Sequence, residues 1–168
     1  EEIAKLDERH PYKVVGIGDI IAALTKFSKL CQTVSYPLYG YDDQNMLLIT
    51  ALGTVRPCYL APKSLAQGDL RQNKKVLIVG IQDFYYFSSA MVASNLKSIL
   101  PKLGLNIEIS ATVIDLSLNH SRTQSAFDLA KRLDQVGIQK LSKQIKPQLD
   151  GAEAVGLPAV LGVSNHHS

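Results

Sequence analysis

Apolar residues recur at helical spacing in the first part of the chain. Ile20, Leu24, Phe27 and Leu30 share one side of a helix predicted over Asp19 to Thr33, with Asp19 placed to cap it. Such a helix is amphipathic and is expected to cover a core. The helical period then ends, and the next stretch is strand-like. Met46 to Thr50 and Thr54 to Tyr59 read as strands, with Leu52 and Gly53 in the turn between them, so the pair is predicted to be a hairpin. Lys63 to Lys74 is polar and shows no apolar period, which predicts a surface connection between a helix-plus-hairpin subregion, 1–62, and the rest, 75–168.

From Lys75 onward strands and helices alternate. Val76 to Val79 is an uninterrupted β-favouring apolar run, as expected of a central parallel strand covered on both faces. A helix is predicted from about Phe87 to Leu100, with Val92, Leu96 and Ile99 on one stripe, ended by Pro101 and Gly104. Ile107, Ile109, Ala111 and Val113 alternate with polar residues and predict a second strand. Ser121 and Gln124 fit a capping box opening a helix whose Ala126, Ala130 and Leu133 face inward. Ile138, Leu141 and Ile145 predict another helix before Pro147, and Ala154 to Leu157 a third strand. The fold class is therefore α/β: a parallel sheet with helices on both faces, a Rossmann-like or flavodoxin-like βαβαβ unit, preceded by a helix and a β-hairpin.

Composition narrows this picture little. The 168 residues are 46% hydrophobic, enough for one domain with a proper core. A net charge of +3, with Lys and Arg spread along the chain, disfavours nucleic acid as a partner. Cys31 and Cys58 lack metal or disulfide-framework spacing and read as structural thiols of a reducing compartment. No run approaches the ~20 apolar residues of a membrane span, and the amino end lacks the apolar core of a signal peptide. The first residue is Glu1, and the last stretch breaks off where a strand and loop have begun, the look of an excised piece. His166 and His167 read equally as native sequence or the start of a tag.

Candidate chemistry concentrates in two places. The loop after Val76 to Val79 carries Gln82 and Asp83, which offer hydrogen bonds, then the aromatics Phe84, Tyr85, Tyr86 and Phe87. Open α/β sheets bind ligands at the carboxyl ends of their strands, so Phe84 or Tyr85 are placed to wall a ring-shaped or flavin-like group. The alternative is structural: Asp83 caps the helix and the aromatics cover the sheet edge or meet another domain. Both alternatives put Asp83 at the helix start. At the hairpin, Thr54 and Arg56 follow the Gly53 turn, and a guanidinium beside exposed backbone N–H groups suits a phosphate or carboxylate. An exposed strand arginine paired with an acid is the equal alternative.

His120 and Arg122, with His166 and His167, are placed to assemble at the carboxyl ends of the second and third strands, where His120 and Arg122 join Thr54, Arg56, Gln82 and Asp83 as candidate substrate-binding residues; no HxH or HExxH spacing supports a metal, and none is expected. Gly16 and Gly18 mimic a dinucleotide turn, yet Ile21 stands where the third glycine belongs, and Asp42 and Asp43 sit in a loop signature. Two glycines before a helix are the simpler reading. Lys140, Lys143 and Lys146 read as a solvated helix face. No self-sufficient catalytic centre is present, and the catalytic residues stay unassigned.

Five segments add what periodicity does not. HPY at His10 to Tyr12, TALGTVRP at Thr50 to Pro57, KKVLIVGIQDF at Lys74 to Phe84, FDLAKRLD at Phe127 to Asp134 and AVGLPAVLG at Ala154 to Gly162 occur in an order that resembles the B subunit of anaerobic glycerol-3-phosphate dehydrogenase. The resemblance is to the middle region of that flavoprotein, without its flanking flavin-binding segments. It implies a parent enzyme oxidising sn-glycerol 3-phosphate to dihydroxyacetone phosphate, electrons passing through flavin (FMN or FAD) toward quinone. It also implies a catalytic flavoprotein subunit and an iron–sulfur membrane-anchor subunit as partners, and a cytoplasmic place peripheral to the inner membrane. The fragment itself is then a substrate-side or cap-like domain, expected to hold no flavin firmly and to be inactive alone. Thr54 and Arg56 would help orient the phosphate while the crevice near Asp83 and His120 closes over a flavin held elsewhere. Two rival expectations are a subunit-docking module using Phe84 to Phe87, and a stand-alone nucleotide-binding domain.

Overall fold

The computed structural model describes residues 2–41, 43–116 and 125–160. A 3-10 turn, Glu2–Lys5, leads into two helices, α1 (Pro11–Val15) and α2 (Ile17–Thr33). Gly16, at φ 83°, closes the first and caps the second. Asp19 is thus not the cap: it lies in the first turn of α2, where its carboxylate meets the positive end of the helix dipole. A larger departure is that α2, expected to cover a core, buries no residue.

The hairpin forms as predicted. Strands β2 (Met46–Ile49) and β3 (Val55–Cys58) pair antiparallel with Leu48 opposite Arg56. Two short strands flank it, β1 (Leu38–Tyr39) against β4 (Ala61–Pro62), and a one-turn helix α3 spans Lys63–Ala66. The connection 63–74 is not wholly at the surface, because Asp69, Leu70 and Asn73 are buried. Asp69 explains why a polar segment turns inward: its Oδ1 accepts from Leu47 N at 2.9 Å and from Arg71 N at 3.2 Å. Leu70 N donates to Leu47 O at 3.0 Å, so the segment is hydrogen-bonded onto β2.

The remainder is a three-stranded parallel sheet. β5 (Lys75–Ile81) is central, with β6 (Glu108–Ile114) on one side and β7 (Ala154–Gly156) on the other. Helix α4 (Ser89–Ile99) joins β5 to β6, and α5 (Ala126–Ile145) lies between β6 and β7. The apolar run of β5 is buried because its side chains alternate between two cores. Val76 and Ile78 pack with Val92, Leu96 and Leu100 of the α4 side. Leu77, Val79 and Ile81 pack with Ile114, Leu116 and Leu129 of the α5 side. Helices therefore cover both faces of a βαβαβ unit, as expected.

Details depart from the expected boundaries. Ser88, not Asp83, caps α4, its side chain accepting from Met91 N at 3.2 Å. Ser125 and Asp128 form the capping box of α5; Ser121 and Gln124 lie outside the described residues. Ala126 is exposed, whereas Leu129 and Ala130 are buried. The two helices expected from 126 to 145 are continuous except for a break at Gly137, φ 73° and ψ 157°, beside which Ile138 is exposed. On the edge strand β6 the alternation buries Ile109 but leaves Ala111 and Val113 exposed.

Candidate functional site

The strand order fixes where a ligand crevice falls. From β5 the chain goes to β6 on one side, then crosses back to β7 on the other, so the direction of winding reverses between β5 and β7. Open parallel sheets place their ligands at such a switch point, beyond the carboxyl ends of the strands. The segments there are Gln82 to Phe87, after β5, and Leu157 to Val160, after β7. Gln82 and Asp83 therefore stand at the switch point that the strand order defines.

The loop after β5 is built tightly. Gln82 N donates to Ile114 O at 2.9 Å, extending the ladder one residue past the strand. Asp83 then turns left-handed at φ 64°, a conformation costly for most side chains but tolerated by Asp. This turn sends Phe84 back inward, where its N–H donates to Ile81 O at 3.2 Å and its ring joins the α5-side core. Phe84, expected to face a cofactor, is spent on packing. Tyr85 and Tyr86 point out instead, 74% and 71% exposed, with Tyr86 tilted against Phe84 at 5.7 Å. Beyond them the chain enters α4 through Ser89, whose Oγ donates to Thr112 O at 2.9 Å.

Across β5 from the switch point, α5 holds the start of the loop after β6. The Gln144 side-chain amide grips both backbone groups of Asp115, its Oε1 accepting from Asp115 N at 3.0 Å and its Nε2 donating to Asp115 O. Arg132 Nε donates to Leu116 O at 3.4 Å. His120, Arg122, His166 and His167 lie outside the described residues. The strands that precede them are on opposite edges of the sheet, separated by β5.

Thr54 and Arg56 belong to a different neighbourhood. The hairpin turn seats on α4: Asn95 Nδ2 donates to Leu52 O at 2.7 Å, and a Cβ on Gly53 would fall 2.5 Å from Val92 O. The Thr54 hydroxyl is hydrogen-bonded to that of Thr50 at 2.7 Å. Strand parity then decides where Arg56 goes. Ile49 and Val55 pack into the α4-side core, so Arg56, one residue on and opposite Leu48, is on the other face of the hairpin. Among the described residues its side chain has no hydrogen bond or ion pair. The structure thus groups Gln82, Asp83 and Tyr85, and sets Thr54 and Arg56 apart from them.

Two contributors were not anticipated from the sequence: Gln144 and the stretch Leu157 to Val160. Only the last carried a signal, the Pro158 that ends a strand. Among the described residues no group of three His, Cys, Asp or Glu is placed to hold a metal ion, and no helix is long and apolar enough to cross a membrane.

Taken together, these features define a mixed α/β protein with an open three-stranded parallel sheet and, at its switch point, a polar loop that carries two exposed tyrosines. The chain is similar to proteins named as the B subunit of anaerobic glycerol-3-phosphate dehydrogenase. In Pasteurella multocida the identity is 29% over 92% of this chain and 38% of the relative. In Glaesserella parasuis it is 29% over 96% of this chain and 40% of the relative, and in Actinobacillus pleuropneumoniae 28% over 98% and 40%. The resemblance carried by the five sequence segments and these similarities agree. The chain spans about 40% of the length of the curated relatives it matches. No family model matches the chain, and no solved structure does.

Proposed function

We propose that this chain is the substrate-side, cap-like part of a B subunit of a quinone-linked glycerol-3-phosphate dehydrogenase. The observation that carries the reading is the similarity over 92–98% of the chain to proteins of that name, because a βαβαβ unit by itself hosts many functions. In this reading the parent oxidises sn-glycerol 3-phosphate to dihydroxyacetone phosphate. Gln82 and Asp83 hydrogen-bond the polyol end of the substrate at the switch point. Partner subunits, a catalytic flavoprotein and an iron–sulfur anchor, carry electrons on toward quinone and keep the assembly at the cytoplasmic side of the membrane.

The described residues do not fit a whole flavin nucleotide. Gly16 and Gly18 lie at the junction of two helices, not after a strand where a dinucleotide turn would cradle phosphates, and Tyr85 offers one wall for a ring. In this reading flavin (FMN or FAD) belongs to the rest of the polypeptide, and the 168 residues alone are expected to be inactive. The test is steady-state kinetics on the intact complex. Gln82→Ala and Asp83→Asn should raise KM for glycerol 3-phosphate severalfold, while Arg56→Ala, on the far face of the hairpin, leaves KM unchanged. A raised KM only in Arg56→Ala would move the phosphate site to the hairpin and sink this placement.

One observation favours a second reading, a docking module without ligand contact. Tyr85 and Tyr86 are the most exposed aromatics of the loop, and aromatic side chains are the usual anchors of interfaces. If docking is their role, Tyr85→Ala with Tyr86→Ala releases the partner flavoprotein in co-purification and leaves KM as it was.

A further inference from the structure

A helix of α2's length is marginal in water and draws most of its stability from a packed face. Yet α2 buries nothing. Ile20, Leu24 and Cys31 are half-buried, while Ile17, Ile21, Phe27 and Leu30, with Val34 just past the helix, each expose more than half of their surface. At helical spacing all eight fall on one half of the cylinder, and Asp19, Thr25, Lys26, Lys29 and Thr33 on the other. Isolated exposed apolar residues are ordinary, but a continuous run along a helix marks an interface. The run continues into α1, where Tyr12, Val14 and Val15 are exposed as well.

What covers it follows from two observations. In the Actinobacillus relative the similarity takes in 98% of this chain, so α2 lies inside the matched region, while that region is only 40% of the relative. The larger part of a matching polypeptide is therefore available next to α2 at the high effective concentration that covalent linkage gives. A lipid surface suits α2 less well. Interfacial helices carry a polar face rich in Lys and Arg, and here Lys26 and Lys29 are offset by Asp19.

We propose that the apolar half of α2, centred on Ile21, Phe27 and Leu30, is an intramolecular docking face, covered by the part of a longer polypeptide that lies outside these 168 residues. This inference does not depend on the substrate reading, and neither readout below involves substrate.

The experiment is photo-crosslinking in the full-length polypeptide, with a benzophenone amino acid replacing Phe27 and, as a control on the polar face, Lys26. The probe at 27 should join peptides of the same chain outside the 168 residues, in a product of monomeric mass whose yield is unaffected by dilution. The control probe should not. Capture of a second copy, a separate subunit or lipid, capture confined to the 168 residues, or no capture overturns the proposal. Hydroxyl-radical footprinting of the unsubstituted polypeptide avoids any disturbance by the probe. Phe27 and Leu30 should be oxidised severalfold more slowly in the folded than in the urea-unfolded polypeptide; equal rates overturn the proposal.

Discussion

Two glycines with nearly the same backbone angle separate strain from crowding. Gly53 has φ 74° and Gly104 φ 70°. A Cβ at Gly53 would meet the Val92 backbone at 2.5 Å, whereas nothing lies within 4 Å of one at Gly104. Gly104→Ala should therefore cost about 1 kcal/mol, the penalty of a left-handed alanine. Gly53→Ala adds a clash with backbone that has no rotamer to escape into, so a loss of roughly 3 kcal/mol is expected from urea unfolding. At the amino edge of the sheet Lys75 Nζ bridges Glu108 at 3.0 Å and Asp150 at 2.9 Å. Hydrogen bonds to Asp150 and then Glu108 raise the Lys75 pKa above its ordinary 10.5, and the Lys75 hydrogen bond lowers that of Asp150 below 3.8. The lowered carboxyl contributes stability above its unfolded pKa that is lost as pH falls through its folded one. The raised amine contributes below 10.5 and loses it as pH climbs through its folded pKa. Lys75→Met should thus be less stable than the parent at neutral pH, with the gap closing at both extremes. A gap independent of pH would show that Lys75 acts through packing.

Helix α5 shows how an element can be legible while its boundaries are not. Its apolar positions announce it, but the stretch 121–128 contains two successive cap patterns, and the one at Ser125 and Asp128 forms. That box is reciprocal: Ser125 Oγ accepts from Asp128 N at 3.1 Å, and Ser125 N donates to the Asp128 carboxylate at 3.2 Å. Ser125→Ala should cost about 1 kcal/mol, measured by thermal unfolding. The same competition explains α4. Asp83 is a good capping residue by type, yet the left-handed turn there needs a residue that tolerates positive φ, and the cap passes to Ser88. For α2 the amphipathic pattern predicted the helix correctly, since periodicity reports the need for a partner surface. It does not say whether that surface belongs to the same 168 residues.

At the scale of the molecule, the central strand and the sheet class were readable because a strand buried on both faces must be apolar throughout. Half of the candidate site was readable for a similar reason. Gln82 and Asp83 end the central strand, and any parallel sheet puts such residues at the rim. Arg56 was not placeable, since its distance from that rim depends on which face of the hairpin meets α4. Nor was Leu157 to Val160, because the switch point exists only once the order β6, β5, β7 is known.

That order also sets a clock. β5 takes β6 on one edge early, but its other edge pairs Val76 with Ala154, about 78 residues later in the chain. At a synthesis rate of ~5–20 residues per second, the most apolar strand of the protein waits ~4–16 s for its last neighbour. Through that interval an open edge of Val, Leu and Ile is available to any other extended chain. The newborn polypeptide is thus most vulnerable to mispairing before β7 emerges.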